Sequence, residues 1–423
     1  MIDTIAAVSS GQPPAAIAVI RVSGPAAFAA GEALAGSLPS PRTAKLRTLR
    51  DPAGSVLDRV LMLAFPGPAT ATGEDLVEIH CHGGRAVVAS ILTTLVDSAT
   101  VRLAEPGEFT RRALTNGRID LTEAEGLADL LAAETEGQRR MAITAAEGNV
   151  SRSIQGWIAE MAILSARIEA VLDYGEDDAV DEDIDAIAFD ARTLGTSIHD
   201  VASAPPVDAL HRGIVVVLAG PPNAGKSTLF NLLAEQDAAI VSPIAGTTRD
   251  RIEVQVARGG LAYRLTDTAG LTRTDDIVEA IGVGRAEQAI HAGDIVLWLG
   301  DGAPPRQDAI RVHAKSDLPD RRVVPTSAEV VISQSDAGSI EAVWTAISTR
   351  AATLVPSVDL VPLRAHQAEL CRTAAHALLD ATRDPLLLGE NLRIALKALA
   401  AVTGADATEA MLDALFSRFC LGK

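Results

Sequence analysis

The chain has little cysteine, few aromatic residues and a deficit of basic residues. Its three cysteines, Cys81, Cys371 and Cys420, are widely spaced. They are odd in number and fit neither a zinc pattern nor a disulfide framework, so we expect reduced thiols. Aromatic residues make up only 3% of the chain while alanine is abundant, which favours helices that pack through small and aliphatic side chains.

The net charge argues against a general nucleic-acid-binding protein, and the hydropathy argues against a membrane-spanning or secreted one. Lys and Arg number 37 against 55 Asp and Glu, a net charge of −18, which argues against nonspecific binding of nucleic acid over the whole surface. Any contact with RNA must then be a local basic patch or be shared with a partner. No apolar run reaches the roughly 18 residues that span a bilayer, and the first residues lack the charged start of a secretory signal. We therefore expect a cytoplasmic protein.

Residues 1–118 show a pattern typical of an α+β domain. Short β-like runs alternate with Pro/Gly turns, and the clearest are 17–22, 60–65 and 76–80. If the third run continues as a strand, Glu78, His80 and His82 share one face. That face is either the polar floor of a pocket beside Gly83-Gly84, which is the preferred interpretation, or a metal site that lacks a third firm ligand.

Helical periodicity replaces the β-like pattern from Thr122 onward. The sequence Thr122-Glu123-Ala124-Glu125 predicts a capping box. Further helices are predicted at 184–203, 366–382, 391–402 and 408–419. The acidic run 175–183 is interpreted as a solvated loop rather than a metal site. Because two helical blocks flank one α/β unit, that unit is predicted to be inserted into a helical bundle.

A phosphate-binding loop opens the α/β unit. The stretch Gly220-Pro221-Pro222-Asn223-Ala224-Gly225-Lys226-Ser227 follows the apolar run 214–219 and precedes a helix near Thr228. In this context the backbone N–H groups curl around the phosphates, Lys226 reaches the β- and γ-phosphates and Ser227 ligates Mg²⁺. The motif therefore predicts a nucleoside triphosphate site.

The switch elements of a guanine-nucleotide-binding domain follow in the expected order. Thr247-Thr248 can serve Mg²⁺ and the γ-phosphate, and Asp267-Thr268-Ala269-Gly270 can hold the Mg²⁺ shell and sense the γ-phosphate. Leu271 stands where Ras-like proteins carry the glutamine that orients the attacking water. Glu279, farther along the same segment, is the natural substitute.

The whole chain resembles the bacterial tRNA-modification GTPase family MnmE, also called TrmE. The resemblance rests on the motifs already described and on four further stretches: Arg21-Val22-Ser23-Gly24, Gly73-Glu74-Asp75, Pro106-Gly107-Glu108-Phe109 and the final Phe419-Cys420-Leu421-Gly422-Lys423. The family terminus carries Ile where this chain has Leu421.

The resemblance implies an α/β multidomain fold. It has an α+β N-terminal domain that binds folate and dimerises (1–118), an α-helical bundle (119–212 and 353–423) and an inserted Ras-like P-loop G domain with a mostly parallel sheet (213–352). The family acts with the partner MnmG, which carries the FAD. Together they place an aminomethyl or carboxymethylaminomethyl group at C5 of the wobble uridine, position 34, of certain tRNAs, from a tetrahydrofolate one-carbon unit.

The resemblance also implies roles for individual residues. Hydrolysis of GTP depends on K⁺, and Glu279 is the catalytic glutamate. Cys420 is either a functional thiol or a small apolar residue near the chain end. The implied binding sets are Arg21, Glu78, Arg118 and Lys423 for 5-formyl- or methylene-tetrahydrofolate; Asn223, Ser242, Ile244 and Thr247 for K⁺; and Ser227 and Thr248 for Mg²⁺.

Two departures from the family pattern concern the guanine base. The family's Asn-Lys-x-Asp motif is here Ala314-Lys315-Ser316-Asp317, so Lys315 and Asp317 are retained but the asparagine is lost. Only residues 300–309 separate the preceding strand from the next one, too few for the usual crossover helix. Ser327-Ala328 is a weak match to the last base-contacting loop.

Two other functions remain open at this point. One is a regulatory or ribosome-assembly GTPase without one-carbon chemistry, which would have no use for the N-terminal pocket or the terminal motif. The other is a folate-dependent one-carbon transferase in which the nucleotide domain is vestigial, as Ala314 would allow. A GTPase assay separates the second from the leading interpretation.

Overall fold

A computed structural model describes most of the chain. The described residues are 3–174, 184–235, 253–268, 279–333, 336, 338–357, 360–405, 407–417, 419 and 422, with backbone alone at 279–285. The chain divides into two compact units, one reaching Ala128 and resuming at Ala400, the other running from Asp129 to Leu399. The acidic run 175–183 lies outside the described residues.

The described strands and helices follow in chain order. The strands are β1 (Thr4–Val8), β2 (Ile17–Ser23), β3 (Lys45–Arg50), β4 (Val56–Phe65), β5 (Leu76–His82), β6 (Val101–Leu103), β7 (Ile214–Ala219), β8 (Glu253–Arg258), β9 (Leu261–Asp267), β10 (Ile295–Trp298), β11 (Ile310–His313) and β12 (Val330–Val331). The helices are α1 (Ala27–Ala35), α2 (Arg85–Asp97), α3 (Glu108–Thr115), α4 (Leu121–Ala132), α5 (Glu136–Ala146), α6 (Asn149–Tyr174), α7 (Ile184–Ala202), α8 (Asp208–Arg212), α9 (Lys226–Glu235), α10 (Glu279–Ala292), α11 (Gly338–Ala351), α12 (Ala365–Leu379), α13 (Pro385–Val402) and α14 (Glu409–Phe416).

The first unit is built on one sheet with strand order β3-β4-β5-β2-β1-β6. Its strands pair antiparallel except for β1 and β6, which run parallel. The three predicted runs are strands, and β5 alternates as expected: Val77, Ile79 and Cys81 are buried while Glu78, His80 and His82 lie on the opposite face. The buried face packs with α1 and α2 into an aliphatic core.

The start of α4 differs from the sequence prediction. Asp120, not Thr122, caps this helix: its carboxylate accepts hydrogen bonds from the Glu123 N–H at 3.0 Å and from Thr122 Oγ1 at 2.8 Å. Glu123 reaches back to the Asp120 N–H at 2.8 Å. The predicted capping box was therefore wrong by two residues, because an earlier side chain with the same capping chemistry takes the position.

The second unit joins helices to an α/β domain whose sheet has the order β12-β11-β10-β7-β9-β8. All neighbouring pairs are parallel except β8 with β9. Strands buried on both faces read as continuous apolar runs, which is why β7 is the unbroken Ile-Val-Val-Val-Leu-Ala. This mostly parallel sheet confirms the predicted class of the domain.

The helices at 184–203, 366–382, 391–402 and 408–419 are confirmed as α7, α12, α13 and α14. Helices α7 and α12 pack closely at Gly195, where an added Cβ would lie 2.9 Å from Leu378 Cβ. Among the described residues, the crossover from β10 to β11 contains no helix, as its length predicts. No helix in the described part of the chain is long and apolar enough to cross a membrane.

Candidate nucleotide and folate sites

The nucleotide motifs meet at one edge of the second sheet. Strands β7, β9, β11 and β12 run parallel, so their carboxyl ends share that edge. The edge collects the loop after β7, the end of β9 at Asp267 and the turn from Ala314 after β11. Ligands of open α/β sheets bind at this edge, since the loops and helix N-termini converge there.

The phosphate-binding loop leaves open space beside Gly225. Gly225 has φ +102°, and a Cβ added there would meet only Lys315 Cε, at 3.8 Å. The Lys226 ammonium donates to the carbonyls of Gly220 and Pro221, each at 2.9 Å. Burial lowers the pKa of Lys226, an effect that Asp267 opposes. The loop thus fits a phosphate group that would replace its own carbonyls as partner of the ammonium.

A hydroxyl and a carboxylate meet beside the phosphate-binding loop. Ser227 Oγ donates to Asp267 Oδ2 at 2.6 Å, and Asp267 is 2% exposed. Thr268 Oγ1 donates to the Leu218 carbonyl at 2.8 Å, which holds the end of β9 against β7. Hard oxygen ligands of this kind suit Mg²⁺, which takes one or two protein oxygens along with phosphate oxygens.

Asn223 sits at the tip of the loop with φ +63° and an exposed side chain. Its carbonyl accepts a hydrogen bond of 2.5 Å from Lys315 Nζ. The phosphate-binding loop and the turn 314–317 after β11 are therefore joined directly. Ala224 lies in the loop, with its N–H donating to the Pro221 carbonyl at 3.3 Å.

A small cavity of about 40 Å³ lies between α9 and the turn after β11. Ala314 and Lys315 line it from the turn, Gly225 and Thr228 from the loop and the start of α9. Asp317 is exposed in the same turn, and its carboxylate accepts no hydrogen bond from the described residues. This is the expected arrangement for reading a planar base with a carboxylate.

Ser327 and Ala328 do not join this group. They precede β12, and β12 runs parallel to β11, so they lie at the amino end of the strand, away from the phosphate-binding loop. Ser333, just after β12, lines the cavity instead. Sequence reasoning missed Ser333, although the rule that parallel strands present their carboxyl ends together would have favoured it.

Several predicted residues cannot be placed. Glu279 begins α10, but its side chain is outside the described residues. Eight further predicted residues lie outside the described residues with both backbone and side chain: Ser242, Ile244, Thr247, Thr248, Ala269, Gly270, Cys420 and Lys423.

Two of the four predicted folate residues, Arg21 and Glu78, lie together on the first sheet. Arg21 and Glu78 are partners across β2 and β5 and form an ion pair with Nε to Oε1 at 2.8 Å. Arg21 also lines a cavity of about 270 Å³ together with Thr72, Leu76 and Phe109. A cation at the wall of a largely apolar cavity, paired to a carboxylate, suits a ring that carries both apolar faces and polar edges.

Arg118 lies beside Gly73, and Gly422 packs against the end of β1. Arg118 Cγ lies 3.3 Å from the place a Cβ on Gly73 would take, beside Thr72 of the cavity wall. Gly422 has φ +90°, and its carbonyl accepts a hydrogen bond from Ser9 Oγ at 2.7 Å. A Cβ on Gly422 would lie 2.1 Å from the Val8 carbonyl, so only glycine fits there.

The face with Glu78, His80 and His82 is no metal site among the described residues. Groups of three His, Cys, Asp or Glu placed to hold a metal ion are absent from that part of the chain. His82 Nδ1 is 2.8 Å from Asp58 Oδ1, and Glu78 is held by Arg21. His80 Nε2 lies 3.5 Å from Glu78 Oε2 while His82 turns to Asp58, so the three side chains do not converge on one metal position.

An ion-pair network missed by sequence reasoning supports the cavity wall. Arg112, with a side chain 13% exposed, donates to Asp3 Oδ1 at 2.7 Å, Glu74 Oε2 at 3.1 Å and Glu108 Oε1 at 3.1 Å. Ser23 Oγ donates to Glu74 Oε2 at 2.9 Å. The spacing of Glu108 and Arg112 on one helix was the only local signal.

The cysteines at Cys81 and Cys371 are buried and unpaired by disulfides. Burial raises the pKa of Cys81 to about 11 and that of Cys371 to about 12. Both thiols therefore stay protonated at neutral pH and behave as small apolar side chains.

Comparison with known proteins gives a consistent result. A model of the GTP-binding protein TrmE N-terminus matches residues 4–118, and a model of the MnmE helical domain matches residues 121–420.

Three similar relatives are each named tRNA modification GTPase MnmE. The protein of Erythrobacter litoralis is 50% identical over 424 residues, with 100% of both chains covered. That of Rhizorhabdus wittichii is 50% identical over 428 residues, covering 100% of this chain and 97% of the relative. That of Novosphingobium aromaticivorans is 46% identical over 439 residues, covering 100% of both. The chain belongs to the MnmE family of tRNA modification GTPases.

Proposed function

We propose that the protein is a K⁺-dependent GTP hydrolase that takes part in modifying C5 of the wobble uridine of certain tRNAs. It acts as a homodimer with an MnmG-type partner that carries FAD, and it takes the one-carbon unit from tetrahydrofolate. The observation that carries the proposal is the convergence of Lys226, Ser227, Asp267 and the turn 314–317 at one sheet edge.

The described residues have distinct tasks toward GTP. Lys226 exchanges the carbonyls of Gly220 and Pro221 for phosphate oxygens. Lys315 keeps the loop at Asn223 joined to the base-reading turn, and Asp317 accepts from the N1–H and amino group of guanine. Ser227 and Thr248 would hold Mg²⁺, which would neutralise charge on the phosphates.

Asn223 is the candidate K⁺ ligand that lies within the described residues. The Asn223 side chain is exposed and makes no hydrogen bond to the described residues. With Ser242, Ile244 and Thr247 it would hold the cation, whose charge replaces that of an arginine finger. Glu279 orients or deprotonates the attacking water in place of the glutamine that Leu271 displaces.

The N-terminal domain of this family is its folate-binding domain, and the described cavity supports that use here. A pterin amide edge pairs with a carboxylate, the role of Glu78, and the anionic tail of folate pairs with cations such as Arg21, Arg118 and Lys423. Cys420, three residues before the chain end, is a candidate thiol for the one-carbon chemistry.

The test compares GTP turnover in KCl and NaCl at equal ionic strength. We expect turnover to be largely lost in Na⁺, and Asn223→Ala to remove the difference between the salts while GDP still binds. Equal rates for the unmutated protein in both salts would refute the K⁺ requirement.

Calorimetry with 5-formyltetrahydrofolate separates the proposal from a regulatory GTPase. We expect binding that weakens in Glu78→Ala. Turnover of GTP without any folate binding would favour the regulatory or ribosome-assembly function instead.

A further inference from the structure

The turn 314–317, which is proposed to read the base, lacks two structural features that this motif ordinarily has. Ala314 offers no side-chain amide, and the crossover before β11 has no helix among its described residues. Lys315 nevertheless holds φ +62°, a left-handed conformation that a non-glycine residue adopts only when its surroundings impose it. Some other group must therefore fix the turn.

Arg321 makes the contacts that fix it. Its Nε donates to the Ala314 carbonyl at 3.0 Å. Its Nη1 and Nη2 donate to the two carboxylate oxygens of Asp301 at 2.7 and 3.0 Å. Arg321 lies four residues after Asp317, and Asp301 belongs to the shortened crossover, so a single guanidinium ties the turn to that crossover. A planar guanidinium is suited to such a two-point grip on a carboxylate.

His313 completes the arrangement. The imidazole is 4% exposed, with Nε2 lying 2.8 Å from the Arg321 carbonyl and Nδ1 3.2 Å from Arg321 Nη2. Because a carbonyl can only accept, Nε2 is a donor, and Nδ1 also lies 3.4 Å from Asp301 Oδ1. The end of β11 is thereby bonded to both the backbone and the side chain of Arg321.

The opposite side of the turn is held separately. The Ser316 N–H and hydroxyl both donate to the Ile332 carbonyl, at 3.1 and 3.2 Å. With Arg321 on one side and the end of β12 on the other, the backbone before Asp317 is fixed while its carboxylate stays bare. The geometry pre-organises an acceptor for a base edge.

We propose that Arg321, braced by Asp301, is a positioning residue that sets guanine specificity by holding Asp317 in place of the missing asparagine. The inference rests on the proposed GTP function. Hydrogen bonds from Arg321 lower the pKa of Asp301, which agrees with a carboxylate that stays charged in the brace.

The test is the affinity of the full chain for fluorescent GDP and IDP in Arg321→Ala. IDP lacks the 2-amino group and so loses one of the two hydrogen bonds to Asp317. We expect GDP binding to weaken about tenfold, equal to about 1.4 kcal/mol, while IDP binding changes much less. The preference for GDP over IDP should therefore shrink, which a loss of folded protein alone would not cause.

Arg322→Ala is the matched control. Arg322 is the adjacent arginine, is exposed and has no side-chain partner among the described residues, so its removal should leave both affinities unchanged. Arg321→Lys keeps the positive charge but loses the planar guanidinium that makes two hydrogen bonds to Asp301, so we expect an intermediate loss of the GDP preference.

A double-mutant cycle tests the brace itself. Asp301→Asn should weaken GDP binding less than Arg321→Ala, and the double variant should resemble Arg321→Ala alone, because the two residues act as one unit. If Arg321→Ala keeps the GDP preference of Arg322→Ala, or if the two effects simply add, the inference is wrong although the GTPase function stands. A natural chain that binds no GDP overturns both.

Discussion

The folate region and the nucleotide edge hold their charges in different ways. In the folate region Arg21 is paired with Glu78, and Arg112 with Asp3, Glu74 and Glu108. At the nucleotide edge, Lys226 is bonded among the described residues only to backbone carbonyls that a phosphate can replace, and the Asp317 carboxylate accepts no hydrogen bond from them. The Arg112 network is completed by the protein's own carboxylates, while the nucleotide edge holds groups that a ligand would complete.

The difference has an energetic consequence. Removing one partner of a buried ion-pair network leaves uncompensated charge and destabilises the fold, by about 3–5 kcal/mol for a fully buried pair. Removing a side chain whose main partner is the ligand lowers the affinity for that ligand strongly but changes the free energy of unfolding little. Substitutions in the two regions should therefore separate stability from binding.

The largest expected effect is on stability, in Arg112→Met. The variant roughly keeps the volume of the side chain but leaves Glu74 without its cation, while Asp3 and Glu108 retain Arg102 as a partner. We expect the first unit to lose about 3 kcal/mol of unfolding free energy, a fall in its melting temperature of roughly 6–12 °C. Calorimetry or hydrogen exchange in β1 and α3 would measure it, with nucleotide affinity unchanged.

The control for Arg112→Met is Arg59→Met, since Arg59 is exposed on β4 and has no ion pair among the described residues. The effect should also depend on pH. Burial acts to raise the pKa of Glu108, but hydrogen bonds from Arg102, the Glu105 N–H and Arg112 outweigh it, and the pKa lies below its ordinary 4.5. The stabilisation is thus present above about pH 4.5 and is lost as the pH falls further. A difference between the variants that grew on acidification would contradict this account.

The second effect is on affinity, in Lys226→Ala. The variant loses a charged donor to two phosphates, and hydrogen bonds to charged groups contribute about 1.5–3 kcal/mol each, so we expect GTP to bind at least about 100-fold more weakly. The melting temperature should barely change. Titration with fluorescent GTP measures the affinity, and Lys397→Ala, an exposed lysine on α13, is the control. A large loss of stability with retained affinity would reverse the comparison.

The smallest effect is a gain, in Ala314→Asn. A restored amide would add hydrogen bonds to the base and the loop, each contributing about 0.5–1.5 kcal/mol, so GTP and GDP should bind up to about tenfold more tightly. The proposed Arg321 brace should make this gain smaller than in a turn without it. Stopped-flow binding of both nucleotides would measure the change, and weaker binding would show that the cavity beside Ala314 has no room for the amide.

Local sequence patterns were sufficient for the parts of the protein that depend on neighbours along the chain. The strand Ile214–Ala219, the loop after it and the helix from Lys226 follow from an apolar run, paired glycines and a lysine at fixed spacing. The alternation of Glu78, His80 and His82 follows from the two-residue period of a strand, and the missing crossover helix from a simple count of residues.

Only the tertiary structure decided which distant side chains share a partner. It replaced Thr122 by Asp120 as the cap of α4, placed Ser333 rather than Ser327 at the cavity beside Ala314, and joined Arg321 to Asp301. Periodicity reports which face a residue lies on, but it carries no information about strand direction or about which of several carboxylates an arginine meets. Those are set by how the sheet orders its strands, and that order is a property of the whole chain.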